Sequence, residues 1–133
     1  MEAYLDERSA AWRAHVEAEL PARAADPAAR VLAVFDLLRE SIATPGYRGC
    51  PFINASAECG IGGPMSTVLT QHRAWVRTLF ATLLREAGHD DADALARRLC
   101  LLYDGAMVGA QLDGTPQAAV DGRTAAQALL VAE

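Results

Sequence analysis

The sequence predicts an all-α fold of six helices and no sheet. Three observations carry this. The composition is rich in alanine, and all twelve basic residues are arginine; both are strong helix formers. From Met65 to Leu84 apolar residues recur every three or four positions without a break, which lines one face of a helix. No segment shows the β-branched alternation with period two that marks a strand.

Proline and glycine cut the chain into its pieces. The first helix is expected from about Glu2 to Leu20, where Leu5, Trp12, Val16 and Leu20 form a thin stripe, as at the edge of a bundle. Asp26-Pro27 opens the second. Aspartate caps free backbone N–H groups, and proline fits the first helical position because its missing N–H has no partner there anyway. Val31, Val34, Phe35, Leu38 and Ile42 follow at helical spacing until Thr44-Pro45-Gly46 stops the helix.

Residues 47–63 read as irregular, with two helical turns around Pro51 to Glu58. Pro64 is expected to start the longest helix, which runs to Ala87 with His72 set on its apolar stripe between Leu69 and Trp75. Gly88 ends it, and Asp90 or Asp91 begins a fifth helix faced by Leu95, Leu99, Leu102, Tyr103, Ala106, Met107 and Ala110. Thr115-Pro116 repeats the cap-then-proline start before a last helix marked by Ala118, Ala125, Ala128 and Leu129. Small side chains let helices approach closely but give little apolar area. The last two helices therefore either lie against their own domain or pair with those of a second copy in a four-helix interface.

With 133 residues the chain has the length of one domain. A net charge of −5 and a pI near 5.1 argue against a nucleic-acid footprint on this chain alone. No stretch suits a membrane span, and the N-terminus, charged in both signs, is unlike a secretory leader. Three cysteines without a C-x-x-C pair read as structural thiols in a reducing, cytoplasmic compartment. No metal site, cofactor motif or catalytic set emerges. His89-Asp90-Asp91-Ala92-Asp93 reads as helix capping, because the pattern of a calcium loop is missing. Gly60-Ile61-Gly62-Gly63-Pro64 lacks the lysine and hydroxyl of a phosphate loop and reads as a connector. His72 is either a satisfied core histidine or a polar group facing a cavity, together with Trp75 and Tyr103.

The run Tyr47-Arg48-Gly49-Cys50-Pro51-Phe52-Ile53-Asn54-Ala55-Ser56-Ala57-Glu58 resembles the Gly-Cys-x-Phe-x-Asn-Ala-x-x-Glu segment of TetR/AcrR-type transcriptional regulators. As there, a proline-started helix with His72 and Trp75 follows, then Leu101-Leu102-Tyr103-Asp104-Gly105-Ala106 and an alanine-rich last helix. Cys59-Gly60 departs from the pattern, where relatives carry a bulkier apolar residue.

The resemblance implies a six-helix C-terminal effector-binding and dimerisation domain over residues 1–133, with the DNA-reading head missing and no DNA contact by this chain. It implies a homodimer through a four-helix interface, to which Leu102, Ala106, Ala110, Ala118, Ala125 and Leu129 are assigned. It also implies a pocket for a small, largely apolar effector whose binding shifts the first helix. Phe35, Leu38, Phe52, Leu69, His72, Trp75, Leu79, Tyr103 and Met107 are assigned to the pocket, as apolar-face residues of the middle helices. Two other readings accompany this one: a headless partner that poisons a full-length regulator, and a small helical enzyme or carrier using His72 with Asp104 or Glu58 as an acid–base pair.

Overall fold

The computed structural model describes residues 2–59 and 66–132, with the side chains of Glu58, Cys59 and Ser66 left aside. Six helices follow in order: α1 Glu2–Arg23, α2 Pro27–Ala43, α3 Pro51–Cys59, α4 Ser66–Glu86, α5 Ala92–Asp113 and α6 Gln117–Val131. The all-α bundle expected from the sequence is the observed one. The Gly60–Pro64 connector and the proline start of the fourth helix lie outside the described residues.

Helix α1 runs three residues past the expected Leu20 and carries Pro21 inside it. Proline costs one backbone hydrogen bond there. The turn is held by Arg23, which bridges Glu19 on its own helix and Glu40 on α2, and by the Ala24 carbonyl, which accepts from Arg30 Nε at 2.8 Å. The cap of α2 is as expected: Asp26 accepts from the Ala29 amide at 3.1 Å. At α5 the position is right and the device is different. Asp91 makes no side-chain cap bond, and the acidic first turn instead sends Asp93 to Arg85 at 2.6 Å.

Helix α5 packs between α4 and α6, while α2 packs against α6 and α4, and α1 covers α2, α3 and α4. The main core gathers Val16, Leu20, Phe35, Leu37, Phe80, Leu84, Leu95 and Leu99, among others. Phe35 stacks on Phe80 with centroids 6.0 Å apart. A second, smaller cluster joins Leu5, Cys50, Phe52, Ala55 and Val68. Met107 packs against both clusters.

Small residues draw α5 and α6 together inside one chain. A Cβ at Gly109 would lie 2.9 Å from that of Ala118, and one at Gly122 would meet the Phe35 ring at 3.3 Å. Part of the expected partner surface is occupied within the single chain. Ala106 and Ala110 are 2% and 3% exposed in the single chain, so they face inward and have no surface left for a second copy. Ala118, half-buried, lies against Gly109 of α5, while Leu102 and Leu129 pack half-buried on the core. The apolar side chains that α5 and α6 leave outside are Leu101, Val108, Leu112, Val120 and Val131.

Candidate functional site

Two cavities lie at the seam between the two hydrophobic clusters. One, of about 80 Å³, opens between α1, the end of α2 and the Tyr47–Phe52 segment; Arg8, Trp12, Leu38, Ser41, Ile42 and Tyr47 belong to its wall. The other, of about 180 Å³, lies between α3, α4 and α5, with Ile53, Leu69, Arg73, Val76, Arg77, Cys100, Asp104 and Val108 around it. Cys50, Phe52, His72, Tyr103 and Met107 line both and form the partition.

His72 is 7% exposed and stacks on Phe52, centroids 4.1 Å apart. Its Nδ1 lies 2.8 Å from the hydroxyl of Ser9, which is equally buried on α1. Burial, aided by the charges of Arg13 and Arg73, pushes the imidazole down to about 4, so it is neutral near pH 7. Tyr103 accepts a hydrogen bond from Trp12 Nε1 at 3.0 Å; burial drives its phenol well above the ordinary range. Both partition residues are thus tied to α1.

The segment before α3 is held from α5. Gln111 accepts from the Cys50 amide at 3.0 Å and donates to Asn54 at 2.8 Å; Asn54 in turn donates to the Arg48 carbonyl at 3.2 Å. Gly49 has φ +89°, and a Cβ there would strike the Gln111 side chain at 2.8 Å. The glycine, the asparagine and the amide facing them are therefore one clamp, which sets Cys50 and Phe52 into the partition.

Residues 27–126 match the family described as tetracyclin repressor-like, C-terminal domain. This chain belongs to the TetR family of transcriptional regulators. It is similar to a TetR-family regulator from Streptomyces coelicolor, with 31% identity and a TM-score of 0.85 over 96% of this chain and 68% of that one. It also resembles a protein described as a TetR-type transcriptional regulator from Streptomyces avermitilis, at 29% identity and a TM-score of 0.74, over 95% of this chain and 72% of that one. Among curated proteins none matches.

In this TetR-family chain six of the nine residues assigned to a pocket line the two cavities: Leu38, Phe52, Leu69, His72, Tyr103 and Met107. Phe35, Trp75 and Leu79 do not. Phe35 is wholly buried against Phe80 and Gly122, and Trp75 and Leu79 pack half-buried on the main core. Apolar periodicity marks the inward face of a helix but does not separate filled core from empty space.

Ser9, Trp12 and Gln111 were not legible as site residues. Ser9 carried a usable signal, since it sits four residues after Leu5 and three before Trp12 on the same stripe. Gln111 carried none, because its partners lie 57 and 61 residues away.

The acid–base pairing considered for His72 does not form with Asp104, whose carboxylate is held by Arg73 at 2.8 Å. The Glu58 side chain lies outside the described residues. Burial raises the Cys50 and Cys100 thiols, which keeps them protonated and unreactive. Among the described residues no group of three His, Cys, Asp or Glu is placed to hold a metal ion. No described helix is long and apolar enough to cross a membrane.

Proposed function

We propose that the chain is a single effector-binding and dimerisation domain of a TetR-type regulator, taking a small, largely apolar molecule in the paired cavities. The observation that carries this is the partition itself. Phe52, His72, Tyr103 and Met107 stand between two cavities lined mainly by apolar and aromatic side chains with a few polar groups among them, the usual make-up of a small-molecule site. A molecule seated there touches His72 and Tyr103, whose hydrogen bonds to Ser9 and Trp12 hold α1 in place. Occupancy then biases α1 by as much as the molecule binds its two placements differently, and by no more. This supports a role for α1 as the element that reports binding, with control of operator DNA as the output of the whole regulator.

Dimerisation is supported by Leu101, Val108 and Leu112 on α5 and Val120 and Val131 on α6, which form an apolar outer face in the single chain. Two such faces give the four-helix arrangement. A native mass spectrum of the purified protein tests both halves of the reading. The expected result is a mass of two chains, with small molecules retained from a metabolite extract. A single-chain mass with nothing retained would overturn it.

A further inference from the structure

Resting on the effector reading above, we infer that the molecule taken by these cavities is an apolar compound bearing a carbonyl-type oxygen acceptor and no cationic group. The argument is an inventory of hydrogen-bond donors at the partition. The Ser9 hydroxyl has no other acceptor among the described residues, so it donates to His72 Nδ1, and the neutral ring carries its proton on Nε2. Among the described residues no acceptor meets that N–H. Yet no fully buried side-chain nitrogen or oxygen lacks a partner among the described residues, so Nε2 opens onto accessible space beside the cavities that His72 lines. Tyr103 is similar: its oxygen accepts from the Trp12 N–H, while its own O–H proton has no acceptor among the described residues. Two donors thus belong to residues that line both cavities, each facing a shortage of acceptors among the described residues.

The charges around them agree. No aspartate or glutamate lines the smaller cavity, whose one charged residue is Arg8. In the larger cavity the single carboxylate, Asp104, is neutralised by Arg73, with Arg77 beside it. An organic cation would lose its water and gain no anion, whereas an sp² oxygen would accept from a waiting donor. Sites that hydrogen-bond one ligand atom reject analogues lacking it more strongly than apolar walls reject a change in size. Volumes of about 80 and 180 Å³ suit a body of one or two rings.

The test is calorimetric titration of the full chain with four ligands on one skeleton: methyl naphthyl ketone, naphthoate, ethylnaphthalene and naphthylmethylammonium. The expected result is that the ketone binds roughly 10-fold more tightly than ethylnaphthalene, and the ammonium more weakly than either. Naphthoate against ketone shows whether the oxygen is taken as an anion or as a neutral carbonyl. Tyr103→Phe and, separately, His72→Phe should each narrow the gap between ketone and ethylnaphthalene. Two variants are used so that one failure to fold leaves the other to decide, with circular dichroism checking the fold. Equal affinity for ketone and ethylnaphthalene, or preference for the ammonium, overturns this inference and leaves the effector reading standing. Binding of none of the four overturns both.

Discussion

Trp12 and Tyr103, 91 residues apart in sequence, are joined by one hydrogen bond of 3.0 Å from the indole nitrogen to the phenol oxygen. Tyr103 is 3% exposed and lines both cavities, so this bond fastens α1 at the wall of the candidate site. Replacing Trp12 by Phe keeps much of the ring and removes the donor. The expected cost is about 1–3 kcal/mol, read as a lower urea midpoint with an unchanged slope. A double-mutant cycle with Tyr103→Phe should return a coupling of roughly 0.5–3 kcal/mol. Strict additivity would mean that the bond contributes nothing in solution.

The burial of His72, with Arg13 and Arg73 nearby, makes stability depend on pH. The imidazole is held down from 6.5 to about 4 in the folded chain, so between those values the unfolded state binds more protons. Stability is fully present above about pH 6.5 and is lost as the pH falls towards 4. His72→Gln should flatten this part of the profile relative to the parent. Superimposable urea midpoints of parent and variant from pH 7 down to 4 would remove His72 as the cause.

Gly49 and Gly46 separate two effects of an added methyl group. Both have positive φ, but a Cβ at Gly46 meets nothing within 4 Å, whereas at Gly49 it meets Gln111 at 2.8 Å. Gly46→Ala should cost about 1–2 kcal/mol of backbone strain alone. Gly49→Ala should cost more, and the excess should vanish in a Gln111→Ala background. Thermal melts of the four variants check this, and an excess that survives removal of Gln111 would refute the clamp.

For the outer face of α5 and α6, Leu112→Glu and Leu101→Glu are the discriminating changes. Both leucines are more than two-thirds exposed in the single chain, so the fold should be unaffected while a dimer would bury the new charge without a partner. Sedimentation should show a dimer for the parent and monomers for the variants at micromolar concentration. Ala110→Leu should instead unfold the chain by overpacking, because Ala110 is buried within it. A soluble, folded Ala110→Leu monomer would return that residue to the partner surface.

The helices were legible because their causes are local. Asp26-Pro27 caps α2, Gly114 ends α5 in the left-handed conformation with φ 72°, and the stripe of α4 repeats through Val68, His72, Val76 and Phe80. The end of α1 was less legible, since it runs through Pro21, a residue that usually ends a helix, to Arg23, whose long-range ion pair is with Glu40 on α2. The candidate site was legible only in part. His72 stood out as a polar residue on an apolar face, and Ser9 answers it from another helix by the same rule, but nothing local says that two such residues meet. The alanines of α5 and α6 show where helices approach closely, not whether the neighbour is the same chain or its twin. Outward leucines such as Leu101 and Leu112 bear on that question more directly, since a single chain gains nothing by displaying them.

Met107 touches both hydrophobic clusters and both cavities. An unbranched thioether with three rotatable bonds is the side chain best able to change shape without disturbing its helix. Met107 is one of five side chains common to both chambers, with Cys50, Phe52, His72 and Tyr103, so the room at their common wall depends on a torsion angle as well as on the backbone.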